Sequence, residues 1–217
     1  SEIWHSADGG DTWALITPGA AVLAPDTNEQ VPWDIAISEA APLTIWAARV
    51  PFGDAIALNG KLVFKSTNGG STWSNLSTLL LNTETPTNIV RARGTVDGVY
   101  LGTRRAVYYH STATFGWVLS NAGLPFNTFS TSLKINYRLG KIRNATDHSV
   151  WESDLEETFT PIANFSASTV EPACGEPVQL FDNSVLSENG AFWEWHFPGG
   201  IPEWSYVRNP VVTFAGY

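Results

Sequence analysis

Glycoside hydrolysis needs two carboxylates held about 5–10 Å apart. Four acids of this chain, Asp34, Asp54, Asp97 and Asp147, fall near strand ends or turns from which such a pair could face a cleft. Nothing in their spacing pairs them. Seven arginines, Arg49, Arg91, Arg93, Arg104, Arg105, Arg138 and Arg143, are also available, and none lies in a motif that marks an anion site. Arg91 and Arg93 alternate along one predicted strand and so should share a face. With Trp33, which opens an innermost strand, they make the candidate ligand face. The single Cys174 cannot close an internal disulfide and is expected as a small buried apolar group. The chain carries no Gly-x-x-x-x-Gly-Lys-Ser/Thr, no Gly-x-Ser-x-Gly and no His-Glu-x-x-His. No catalytic residue is assigned, no cofactor is implied, and calcium has no supporting motif.

The elements that must position these residues are strands. Helical spacing is nearly absent: no stretch of a dozen residues sustains an apolar stripe at i, i+3, i+4 and i+7 with caps at both ends. Short runs of β-branched, aromatic and Leu residues recur instead, bounded by Gly, Asn, Asp, Pro or Ser. Trp33–Ser38, Thr44–Val50, Lys61–Ser66, Asn88–Arg93, Val99–Thr103, Ala106–Ser111, Leu133–Tyr137, Lys141–Ala145 and Val150–Ser153 read as strands of an all-β chain. Composition agrees. Of 217 residues, 43% are hydrophobic and 15% charged, with 18 Gly, 13 Pro and 10 Trp, which excludes intrinsic disorder. No apolar run approaches the roughly 20 residues of a membrane span. A net charge of −9 argues against nucleic acid or an anionic membrane surface as partner.

The chain repeats itself. Ser6-Ala7-Asp8-Gly9-Gly10-Asp11-Thr12-Trp13 aligns without gaps on Ser66-Thr67-Asn68-Gly69-Gly70-Ser71-Thr72-Trp73. Each copy follows an apolar strand, and its Gly-Gly centre supplies the positive φ angles of a tight hairpin. Weaker copies end at Trp117 and Phe159. Residues 6–13 resemble the Asp-box, or bacterial neuraminidase repeat, of sialidases, xyloglucanase-like glycosidases and sortilin-type receptors. Ser6, Asp8, Gly10, Thr12 and Trp13 fit its defined positions, as do Ser66, Gly70, Thr72 and Trp73, and Asn68 stands in for the acid. The resemblance implies a β-propeller of four-stranded antiparallel blades. The box would join third and fourth strands, with its Trp packed between blades and Trp4 and Trp151 half buried on third strands. Residues 1–17 would form half a blade, followed by blades at about 31–80, 86–122 and 130–162. Because propellers close with typically 4–8 blades, the chain is expected to be a segment of a longer polypeptide, the alternative being that another chain contributes the missing blades. His5 and His110 hold equivalent positions in different blades, and His148 and His196 lie in different modules, so no histidine metal site is expected.

A second module, 163–217, follows. Asn164-Phe165-Ser166, Trp193-Glu194-Trp195-His196-Phe197-Pro198-Gly199-Gly200 and Asn209-Pro210-Val211-Val212-Thr213-Phe214 resemble the polycystic-kidney-disease (PKD) domain, an incomplete immunoglobulin-like β-sandwich here. Its Pro-Gly-Gly centre is most similar to PKD domains of secreted Bacteroidota proteins. The reading these resemblances imply is a segment of a large secreted or cell-surface bacterial protein. A propeller would bind a glycan or protein ligand and act as a scaffold with the remainder of the same polypeptide, and the PKD-like module would serve as spacer. The alternative is an extracellular glycoside hydrolase, sialidase- or xyloglucanase-like, whose active site needs further N-terminal blades. A sortilin-like peptide receptor is a third reading.

Overall fold

Val, Ile, Tyr and Trp between Gly- and Asn-rich turns favour the pleated backbone, and they fold as antiparallel strands. The computed structural model describes residues 2–19, 31–51, 60–186 and 191–215, so Asp54 lies outside the described residues. Two compact units result: Ser1–Asn136 with Lys141–Phe159, and Tyr137–Gly140 with Thr160–Tyr217.

The first unit is a succession of antiparallel meanders. Strands β1 (Trp4–His5) and β2 (Ala14–Leu15) pair as a two-stranded sheet. A four-stranded sheet in chain order follows: β3 (Trp33–Ile37), β4 (Ile45–Arg49), β5 (Val63–Ser66) and β6 (Ser74–Asn75). The next sheet has the same order, with β7 (Pro86–Arg91), β8 (Val99–Thr103), β9 (Val107–Ser111) and β10 (Gly116–Leu119). The last sheet comprises β11 (Ser130–Asn136), β12 (Lys141–Thr146) and β13 (Val150–Asp154). It has three strands among the described residues rather than the expected four.

The first strands of successive sheets lie side by side, β7 packing against both β3 and β11. This explains why β8 reads as a continuous apolar run: both of its faces are covered, and every residue is buried. Period-2 alternation then divides its side chains between two cores. Val99 and Leu101 join Trp46, Leu62, Ile89, Tyr108 and Trp117 on one face. Tyr100 joins Val107, Tyr109, Leu133 and Ile142 on the other. Gly102 permits the close approach of β8 to β11, since a Cβ there would stand 2.5 Å from Ser130 Oγ.

Three expectations need correction here. β7 ends at Arg91 and Arg93 lies in the following turn, so the two arginines do not alternate along one strand. Trp4 and Trp151 are exposed rather than half buried, because β1 and β13 are edge strands of their sheets. Cys174 is exposed, not buried.

The second unit holds a four-stranded sheet and a two-stranded one. β14 (Phe165–Ala167), β15 (Pro177–Asp182), β19 (Val211–Phe214) and β17 (Gly200–Ile201) lie in that order, and β16 (Trp195–His196) pairs with β18 (Trp204–Ser205). Val178, Leu180 and Val212 form its core, with Trp195, Phe197 and Phe214 against them. Asp182 anchors the unit. Its carboxylate accepts from Arg138 Nη2 at 3.2 Å, Arg208 Nε at 3.3 Å and the Ser184 amide at 3.0 Å. Burial opposes the charge, but Ser184, Trp193 and Arg138 outweigh it and hold the pKa below the ordinary carboxylate range.

Candidate functional site

The repeated hairpins are built alike. In the first, Ser6 Oγ accepts the Gly10 amide at 2.7 Å, while Asp8 accepts the Thr12 amide at 2.9 Å and the Thr12 hydroxyl at 2.6 Å. Those Thr12 hydrogen bonds, with one from Ser6, push the Asp8 pKa far down although the carboxylate is fully exposed. In the second, Ser66 Oγ accepts Gly70 N at 2.8 Å and Asn68 Oδ1 accepts Thr72 N at 2.9 Å. Asn68 also donates from Nδ2 to Thr72 Oγ1 at 2.9 Å, so the amide reproduces the carboxylate's pattern with one bond reversed.

Two of the hairpin aromatics, Trp73 and Trp117, are placed to fasten one sheet to the preceding one. Trp73 Nε1 donates to Ile16 O at 2.7 Å, and Trp117 Nε1 donates to Leu76 O at 2.9 Å. Ile16 and Leu76 occupy the same place, three residues beyond Trp13 and Trp73. Trp13, the first of the series, donates back to Gly10 O at 3.0 Å within its own hairpin and is 59% exposed. Gly70 lies at this contact with φ +89°, and a Cβ there would stand 2.6 Å from Ile16 Cβ.

The candidate ligand-face residues are engaged separately. Trp33 packs edge-on to Phe64 at 5.8 Å, with the Arg49 guanidinium 6.0 Å from its ring. Arg91 is buried, 5.3 Å from the Trp46 ring, and donates to Thr95 Oγ1 at 2.7 Å, Thr95 O at 2.6 Å, Val96 O at 3.2 Å and Gly98 O at 2.6 Å, and to Ala92 O. Its guanidinium therefore organises the turn between β7 and β8. Arg93 pairs with Glu39.

The described candidate carboxylates also serve separate tasks. Asp34 Oδ2 accepts the Ile89 amide at 2.7 Å, joining β3 to β7. One sheet on, Asn88 Nδ2 donates to Ser130 Oγ at 3.2 Å, and that hydroxyl donates to Asn144 Oδ1 at 2.7 Å. Asn144 is thereby buried. Asp147 sits in an exposed turn, 3.2 Å from His148. Asp97 joins the two four-stranded sheets, accepting from Lys65 Nζ at 3.0 Å and from the Thr112 amide at 2.7 Å. Lys65 itself lies 5.2 Å from the Trp46 ring, so the indole of Trp46 lies within cation–π range of both Lys65 and Arg91.

Two tyrosine–glutamate pairs, the first buried and the second partly buried, were not visible in the sequence. Tyr108 donates to Glu84 at 3.0 Å, and Thr103 donates to the same carboxylate at 2.7 Å. Tyr109 donates to Glu157 at 2.9 Å. Burial first, and then the neighbouring carboxylate, pushes both phenols well above their ordinary pKa. They remain protonated at neutral pH and work as donors, not nucleophiles. Glu84 gives no local sequence signal, because its partners lie on β8 and β9.

His110 sits beside the Lys65–Asp97 pair, its ring 5.1 Å from that of Trp117. Burial lowers its pKa, Lys65 adds to the effect and Asp97 opposes it. A folded-state pKa below the unfolded value of about 6.5 means the unfolded chain takes the proton first. The stability this neutral imidazole carries is present above that value and declines as the pH falls through it. The pKa of Asp97 is also lowered: Thr112 and Lys65 outweigh its burial. Its contribution is lost in the same direction but at lower pH. Melting temperature is therefore expected to fall between pH 7.5 and 5, and His110→Gln to flatten that slope. An unchanged slope in the variant would remove His110 as its source.

No protein family and no curated protein matches the sequence. Among solved structures, the chain is similar to YCF48 bound to D1 peptide, at 12% identity and a TM-score of 0.50, covering 96% of this chain and 62% of that one. YCF48 from Cyanidioschyzon merolae gives 13% identity and a TM-score of 0.38, over 81% and 56% of the two chains. An ancestral GH74 enzyme gives 15% identity and a TM-score of 0.44, over 94% and 30%. The chain thus spans less than two thirds of each of these proteins. The first likeness, with the successive antiparallel sheets, defines an all-β protein of β-propeller-like fold.

Proposed function

We propose that the chain is a binding and scaffolding segment of a large secreted or surface-displayed bacterial protein, in which an Asp-box propeller presents a ligand face and a PKD-like sandwich serves as spacer. The observation that carries this reading is how the ionisable groups of the propeller-like unit are used. Asp34, Glu84, Arg91 and Asp97 each hold one strand or turn to another. Among the described residues, Asp34 is the only carboxylate on the side-by-side strands β3, β7 and β11, and its bond to Ile89 N ties it to the fold. An acid used in this way serves the fold, which supports the binding reading. The unit's aromatic fastenings make a rigid support. The YCF48 neighbour is bound to a D1 peptide, so peptides join glycans as the ligand classes to test.

The test presents the chain to glycan and peptide arrays and, separately, to a panel of fluorogenic glycosides. Saturable binding without turnover is expected. Hydrolysis that disappears in Asp34→Asn would replace the reading with the glycosidase one, and silence on both arrays would overturn the ligand face.

A further inference from the structure

In the two-stranded sheet of the second unit, His196 stands directly opposite Trp204 and Trp195 opposite Ser205. Alternation sends these pairs to opposite faces. Trp195 turns inward, edge-on to Phe165 at 5.5 Å and stacked on Phe197 at 6.1 Å. His196 and Trp204 turn outward, their rings stacked at 4.0 Å and 11°. Trp204 nevertheless remains 46% exposed. The Glu203 carboxylate lies 3.6 Å from His196 Nε2 at the border of the stack, and Tyr206, two residues beyond Trp204, is 64% exposed. The buried cluster of this unit is Val178, Leu180 and Val212 with Trp195, Phe197 and Phe214 against them, and neither His196 nor Trp204 belongs to it.

We propose that the His196–Trp204 stack, bordered by Glu203 and Tyr206, is a binding platform for a neutral pyranose ring of a glycan. A pyranose offers a flat patch of C–H groups on one face and hydroxyls around its rim. An exposed indole takes such a face, as aromatic rings take other flat apolar groups. The Glu203 carboxylate accepts from hydroxyls, and imidazole and phenol donate to or accept from them. Charge decides the sugar class. Glu203 sits at the border of the platform and the chain carries a net charge of −9, so uronic or sialic acids are repelled and uncharged hexoses are not. The platform lies wholly within the second unit and gives the module a ligand of its own, beyond the role of spacer.

Affinity electrophoresis of the whole chain through gels containing soluble β-glucan, galactomannan or xyloglucan tests this. Retardation by at least one of these polymers is expected, with affinity falling at least tenfold in Trp204→Ala and only a few-fold in Trp204→Phe, which keeps a flat ring. Glu203→Gln is expected to weaken neutral-glycan binding and to relieve exclusion of polygalacturonate. Trp13→Ala, which removes an exposed indole of the other unit, is expected to leave retardation unchanged, and near-UV circular dichroism reports whether each variant is folded. Absence of retardation in all three gels, equal retardation of Trp204→Ala, or loss in Trp13→Ala alone would overturn the platform. Peptide-array binding that survives Trp204→Ala leaves the propeller reading intact while this one fails.

Discussion

Trp117→Ala is expected to destabilise the propeller-like unit by about 3–5 kcal/mol, the usual cost of deleting a buried aromatic. Trp117 is 6% exposed and shares a core with Trp46, Leu62, Leu81 and Val99. Its indole donates to Leu76 O at 2.9 Å, and its ring meets that of His110. Truncation would open a cavity between two sheets and strand a carbonyl. The resemblance to the Asp-box points to Trp73 for this effect, since the Trp of a box is expected to pack between blades. Trp73 is only half buried, and Trp73→Ala is expected to cost about 2 kcal/mol, in proportion to the smaller area withdrawn from water. Trp117→Phe separates packing from hydrogen bonding: it keeps most of the ring and leaves Leu76 O unpaired, for an expected loss of about 1–2 kcal/mol. Urea unfolding followed by circular dichroism measures all three. A loss below about 1 kcal/mol for Trp117→Ala would mean that the aromatic series does not fasten the sheets.

The strands and the hairpins were legible because their signals are local. Short runs of β-branched, aromatic and Leu residues between turn residues marked β3, β4, β8, β9 and β12 to within a residue or so at most ends. Ser6, Asp8 and Thr12, and Ser66, Asn68 and Thr72, bond within one turn, so their spacing carries the geometry. What failed depends on partners distant in sequence. Arg91 and Arg93 look alike in an alternating pattern, yet the chain turns after Arg91, and a buried arginine there finds the carbonyls of the 92–98 turn. Glu84 meets Thr103 and Tyr108, and no spacing rule relates a residue before one strand to hydroxyls on the next two. Trp204 had no motif role. Its pairing with His196 arises only once β16 and β18 come together.

Arg91→Ala is expected to be nearly as damaging, about 3–5 kcal/mol, for a different reason. The guanidinium reaches Thr95 O, Val96 O and Gly98 O, the Thr95 hydroxyl and Ala92 O. A carbonyl left buried without a donor costs about 1–3 kcal/mol, and the substitution removes the donor from several at once while taking a cation from beside Trp46. Arg91→Lys is expected to recover only part of the loss, because an ammonium offers three donors from one point where the turn needs a planar fork. The turn also carries Asp97, so its loosening should weaken the Lys65–Asp97 pair and with it the contact between the two four-stranded sheets. Trp117→Ala and Arg91→Ala should then combine to less than the sum of their separate losses, since both act on that one contact. A ligand-binding arginine would behave in the opposite way, leaving stability unchanged on truncation while binding is lost. If Arg91→Ala unfolds at the same urea concentration as the parent chain, the guanidinium does not hold the turn and Arg91 belongs with the ligand face.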